Sequence, residues 1–174
     1  MIFAKKNIYA ENLKNTATQI IIRNSPATNN SNVDLLNEFL ISIASEIDHN
    51  ASKGINIFID SKFYSQLNLH NLPEQLTPCF ILDTTHNRSA LPDDVACAAE
   101  ITNLDQVKAL PENTRALLIN SQLALTLTAD EIDALKPFLL VITEVHEYHI
   151  FAKLKILGYP LFQGDFIEKP QKIQ

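Results

Sequence analysis

Cysteine is nearly absent from this 174-residue chain, and its two copies, Cys79 and Cys97, lack the spacing of a metal-binding pair. That excludes a disulfide-stapled scaffold, and both thiols read as reduced and buried. No segment approaches the roughly 18 uninterrupted apolar residues of a membrane span, and the opening from Met1 to Lys6 lacks the apolar run of a secretory signal. We therefore expect no membrane partner and a cytoplasmic location. Positive charge is also short. Fourteen Lys and Arg stand against 20 Asp and Glu, the formal net charge is −6, and the basic residues are scattered. Duplex DNA needs a clustered positive surface, so DNA is not an expected partner. Internal repeats, low-complexity runs and interdomain linkers are missing as well.

A nucleophilic centre is lacking too. His49, His70 and His86 fall on loop-side positions with no nucleophile beside them, so neither a Ser/His/Asp nor a Cys/His mechanism can be assembled. The acidic pair Asp93-Asp94 has no partner motif and reads as solvated or capping. Glu144, His146, Glu147 and His149 do cluster, and His146 with His149 at i, i+3 could share a helix face as metal-ligand pairs sometimes do. The same cluster at a helix start also fits dipole-compensating glutamates with exposed imidazoles.

What the chain has in quantity is apolar side chains, 46% of the total, enough for one well-buried core and one domain over residues 1–174. Short β-rich runs alternate with helical stretches, the pattern of an α/β layer fold with a largely parallel sheet. Strands are expected at 17–23, 55–60, 79–84, 96–101, 115–120, 138–143 and 161–166. Ile20 to Ile22, Ala116 to Ile119 and Phe138 to Ile142 are apolar at consecutive positions, as strands covered on both faces are. Three helices are signalled by spacing and caps. One follows Ser31 through Val33, Leu36, Leu40, Ile43 and Ile47. One starts at the capping box of Thr128 and Glu131. One carries Ile150, Phe151, Leu154 and Leu157 and stops at Gly158. Asn103 with Gln106 marks a shorter one.

Two stretches carry a family likeness. The opening Ile2 to Leu13 with Gln19-Ile-Ile-Ile-Arg23, and the closing unit from Glu144 to Pro170, resemble the EAL family of cyclic di-GMP phosphodiesterases, in particular the variety found in front of HDOD domains. The resemblance implies a (β/α) TIM-like barrel of mostly parallel strands with an N-terminal hairpin. A complete eightfold barrel takes about 250 residues, with about 200 as the lower limit. A shortened or incomplete barrel of seven or so strands is therefore expected, with the shortfall between about Asp83 and Asn120.

The resemblance also implies a ligand and a reaction. The family's second strand reads Glu-x-Leu-x-Arg; here Gln19 replaces the metal-holding glutamate and Arg23 keeps the phosphate contact. Asp60 stands where an asparagine ligates metal, and Phe80 falls on a ligand position, with Asp83 keeping a carboxylate nearby. The family's paired aspartates have no counterpart beyond Glu100, Asn120 stands where a further aspartate would be, and Glu144 and Glu147 are displaced from the late Glu-x-Val-Glu pattern. Two-metal hydrolysis needs carboxylates to hold its cations. We expect no catalytic residue, no bound metal and no cofactor, in a catalytically inactive EAL-like regulatory or protein-interaction module of bacterial signalling. Its partner, or a second copy, would meet apolar surface exposed by the missing barrel segment. An alternative is a non-hydrolysing cyclic di-GMP receptor using Arg23, Gln163, Gly164 and Pro170, where the family contacts phosphate and guanine. A third is an active phosphodiesterase.

Overall fold

β1 (Ile2–Ala10) and β2 (Asn15–Arg23) pair antiparallel as a hairpin, with Lys6 opposite Gln19 and Ile8 opposite Ala17. The reversal between them places Leu13 in the left-handed region at φ 62°, its N–H donating to the Ala10 carbonyl at 2.9 Å. The computed structural model describes residues 2–23, 31–46, 55–82 and 91–166. After the hairpin come β3 (Ile55–Asp60), β4 (Leu76–Leu82), β5 (Cys97–Ile101), β6 (Thr114–Asn120), β7 (Leu139–Thr143) and β8 (Leu161–Phe162), each parallel to the one before from β2 onward. β8 returns antiparallel to β1 and closes the barrel.

Alternation of side chains along each strand separates two environments. Inside the barrel, Phe58 packs among Ile8, Ala17, Cys79, Ala98, Ala116, Leu118, Val141 and Leu161. The small alanines leave room for that one large ring, the large-with-small filling that a narrow barrel interior requires. Outside, two clusters coat the wall. α1 (Ser31–Glu46) lays Leu36, Leu40 and Ile43 on Ile20, Ile22, Ile57 and Ile59. The short α2 (Ser121–Thr126) and α3 (Ala129–Ala134), with α4 (Tyr148–Ile156), cover Leu117, Ile119, Leu140 and Ile142.

The chain is short because its helical layer is thin. Between β3 and β4 run only 3-10 turns, Ser61–Gln66 and Leu69–Asn71, and between β5 and β6 only Leu104–Ala109. The wall itself holds eight strands, the seven read from the sequence plus the first strand of the hairpin. Under the 3-10 turns Phe63, Leu67 and Leu76 remain buried, with Leu69, Leu72, Leu91 and Val95 packed over them. The apolar docking surface expected at a missing barrel segment is therefore not found among the described residues.

The expected caps are present. Thr128 Oγ1 accepts from the Glu131 N–H while Glu131 Oε2 accepts from the Thr128 N–H at 2.7 Å, closing the capping box. α4 stops at Gly158 with φ +89°, a left-handed backbone that a side chain would strain. Asn103 and Gln106 form their box on a 3-10 turn. α2 has no apolar periodicity, being six residues held by the Asn120 side chain, which accepts from the Leu123 N–H at 2.8 Å. β8 is two residues, not six, because the chain turns away after Phe162.

Two buried polar groups test this packing. Tyr159 is 2% exposed, its hydroxyl donates to the Ala124 carbonyl at 2.7 Å, and burial, with the Glu131 charge, pushes its phenol up to about 12. Tyr159→Phe should leave that carbonyl unpaired and lower stability by about 1–2 kcal/mol in urea titrations. Cys79 lies in the barrel interior with its thiol pushed up to about 12, chiefly by burial, and Cys97 is also buried and raised. Ellman's reagent at pH 8 should modify neither thiol in the folded chain and both once it is unfolded.

Candidate functional site

The mouth at the carboxyl ends of the parallel strands is where side chains converge. Extending the alternation from the inward residues Ile8, Ala17, Phe58, Ala98, Leu118, Val141 and Leu161 places Lys6, Gln19, Asp60, Glu100, Asn120, Thr143 and Gln163 on the inward side there. Most of these groups are already committed. Gln163, only 4% exposed, donates from Nε2 to Gln19 Oε1 at 2.9 Å, joining the end of β8 to β2. Asp60 accepts from the Lys62 N–H at 3.0 Å, and its other oxygen meets Lys62 Nζ at 3.1 Å. Asn120 caps α2. Glu100 is exposed.

The same alternation corrects one expectation. Phe80 does not fall on a ligand position: it packs outside the wall with Ile57, Ile59 and Leu36, its ring edge-on to Tyr64 at 5.2 Å. A neighbour of opposite parity, Cys79, faces in.

Beyond β7 the backbone is locked to the turn that follows β8. The Val145 N–H donates to the Gln163 carbonyl at 3.0 Å, and the Phe166 N–H donates to the Val145 carbonyl at 3.2 Å. Gly164 lies so close to Val145 that a Cβ there would meet its carbonyl oxygen at 1.9 Å. Glu144 adopts φ 58°, left-handed for a residue with a side chain, and its carbonyl accepts from Ser121 Oγ at 3.0 Å. His146 Nδ1 meets Asp165 Oδ1 at 2.6 Å, and that hydrogen bond holds the Asp165 carboxyl below its ordinary range. His149 pairs separately with Glu147 at 3.0 Å. His146 precedes α4, so the two imidazoles are not brought together on one helix face. Among the described residues no three His, Cys, Asp or Glu side chains group as a cation would need.

A cleft of about 260 Å³ opens beside this turn, lined by Lys5, Lys6 and Asn7 on one wall and Glu144, His146, Gln163, Gly164 and Asp165 on the other. Of the residues singled out from the sequence, Gln163 and Gly164 lie in it. Arg23 ends β2 opposite Ile2, but its side chain lies outside the described residues, as do Pro170 and Asp83. Lys5 and Lys6 had no signal as site residues. Two adjacent lysines on a strand normally point to opposite faces, and only the fold shows both reaching one cleft.

Comparisons with known proteins agree with this architecture. No family model and no curated protein matches the chain. Solved structures do. The chain is similar to the cAMP-bound form of the EAL enzyme Bd1971, with TM-score 0.57 and 12% identity over 95% of this chain and 62% of that one. It is similar to the PaMucR phosphodiesterase in its c-di-GMP complex, with TM-score 0.55 and 14% identity over 95% and 90%. It is also similar to the Klebsiella pneumoniae BlrP1 calcium/cy-diGMP complex, with TM-score 0.60 and 13% identity over 94% and 54%. The chain thus spans less than two thirds of the length of Bd1971 and of BlrP1. At these identities the likeness is one of fold, and the fold is EAL-like.

The contact at Gly164 yields a test of the site's rigidity. Gly164→Ala forces the turn off Val145, which should lower stability by about 1–3 kcal/mol. Amide shifts should concentrate at Val145, Gln163 and Phe166 in heteronuclear NMR spectra.

Proposed function

We propose that this chain is a non-hydrolysing, EAL-like regulatory domain that acts by contact with a protein partner in bacterial signalling. The observation that carries this reading is the amide pair of Gln19 and Gln163. At the position where the family resemblance calls for a metal-holding glutamate stands a neutral side chain, whose oxygen accepts from Gln163. A two-cation phosphodiesterase site needs several carboxylates converging on the mouth, to hold the ions and to generate the attacking hydroxide. Here Asp60 pairs with Lys62, Asn120 is an amide that caps a helix, and Glu100 has no acidic companion grouped with it among the described residues. The donors among the described residues do not fit a pair of divalent cations.

A second reading, a cyclic di-GMP receptor without hydrolysis, is favoured by the cleft. Lys5 and Lys6 supply positive charge beside Gln163 and Gly164, the positions where the resemblance implies guanine contacts. Titration separates the readings. Incubation with cyclic di-GMP and manganese or magnesium should release no linear dinucleotide, and calorimetry should give no heat up to millimolar ligand. Metal-dependent release would overturn the non-hydrolysing reading. Micromolar binding weakened by about tenfold or more in Lys6→Ala would instead establish the receptor.

A further inference from the structure

We propose that the edge of β1 away from β2, unpaired from Phe3 to Ile8 among the described residues, is a docking site for an extended peptide strand of a partner protein, carrying a carboxylate against Lys6. This rests on the contact-module reading above and names the form the partner takes. β1 is nine residues long, yet β8 pairs with it only at Tyr9 and Ala10 before turning away. On that side no described residue pairs with Phe3 to Ile8. An unpaired strand edge offers a row of N–H and C=O groups, and an added strand takes its affinity from them.

The cleft beside this edge has the shape such a strand needs. Lys5 and Asn7 come from one face of β1 and Lys6 from the other, yet all three line the same space, so the groove runs along the edge of the strand and not over a face. Asn7 also has an unmet need. Its Nδ2 donates to the Tyr9 hydroxyl at 3.3 Å, but its Oδ1 is buried with no donor among the described residues. A peptide N–H brought to this edge, with a small rotation of the Asn7 amide, supplies one.

Charge selects the partner. Lys5 is held by Glu46 of α1, whereas Lys6 has no carboxylate partner among the described residues. On the facing wall Asp165 is matched by His146, and Glu144 has no ion pair among the described residues. The groove therefore accepts an acidic side chain on the Lys6 side and a neutral or basic one towards Glu144. A second copy of this chain fits badly. Antiparallel pairing of two β1 edges would set Lys5 and Lys6 against their own counterparts, and like charges opposite one another destabilise a sheet.

The test uses the full chain, labelled with nitrogen-15, and a synthetic peptide of about ten residues alternating glutamate with valine, long enough to span the edge at about 3.3 Å per residue. Amide shifts and new exchange protection should fall on Phe3 to Ile8. Lys6→Glu should weaken binding by about tenfold, while the same charge change at Lys108, exposed on the 3-10 turn after β5, should leave it within about twofold. A peptide with lysine in place of glutamate should bind measurably less well. Absence of binding, equal binding of the lysine peptide, or shifts confined to other elements would overturn the proposal. Release of linear dinucleotide in the separate hydrolysis assay would overturn the non-hydrolysing reading alone, because the amide shifts on β1 report the edge independently.

Discussion

A barrel closes only where its last strand meets its first, and in this chain that seam rests on two residue pairs, Tyr9 with Phe162 and Ala10 with Leu161. Two pairs of strand hydrogen bonding are a weak join. Aromatic packing reinforces it. Phe162 stands edge-on to Phe151 at 4.9 Å, Phe166 stacks on Phe151 at 4.7 Å, and Phe166 meets Tyr9 edge-on at 6.5 Å. These contacts tie β1, β8, α4 and the turn after β8 into one unit, and aromatic pairs of this kind add about 0.5–1.5 kcal/mol each beyond the area they bury. The shortness of the seam has a second effect. Because β8 turns away at Gln163, the side of β1 away from β2 has no strand partner among the described residues from Phe3 to Ile8, and the cleft exists in the space that β8 leaves.

Economy elsewhere follows from the same closure. Once the eight strands bury their inward side chains on each other, each crossover has only to cover the outward side chains of its two strands. A long helix does so for β2 and β3. For β3 with β4, and for β5 with β6, short 3-10 turns are enough, because the outward positions are capped by Phe63, Leu67, Leu69 and Leu72 and by Leu104 and Val107. Apart from Leu13 in the hairpin turn, the exposed large apolar side chains among the described residues lie on α1 or on and just after α4. Leu35 and Ile41 project from α1, and Tyr148 and Ile156 from α4, as scattered residues that need no partner to explain them.

Much of this architecture was legible in the residues, for reasons that also explain the failures. The strands β2 to β7 announce themselves as apolar runs, and α1, α3 and α4 by periodicity or caps, because burial and capping are local demands on sequence. α2 was not legible. Its six residues are held from outside, by the Asn120 cap and by Tyr159, whose hydroxyl reaches back 35 residues to the Ala124 carbonyl. The position of Phe80 was misassigned for a related reason. Cys79 to Leu82 are all apolar since both faces of β4 are covered, and a run without alternation hides which residues point inward. The site was half legible. Gln19 and Gln163 could be picked out one by one, but the bond between them joins residues 144 positions apart and is a property of closure alone.

That bond also clarifies why an amide at position 19 suits the mouth. Gln19 accepts from the buried Gln163 amide, and this neutral pair needs no ion to hold it together. Two self-consistent arrangements are open to such a mouth. In one, several acids share divalent cations, and the charges justify one another. In the other, the acids are not grouped on a cation, and neutral side chains satisfy each other. Gln19 accepting from Gln163 fits the second arrangement. A chain in the second state keeps the barrel and its outer surfaces. At its rim Lys6 and Glu144 line the cleft on either side, with no ion pair to either among the described residues.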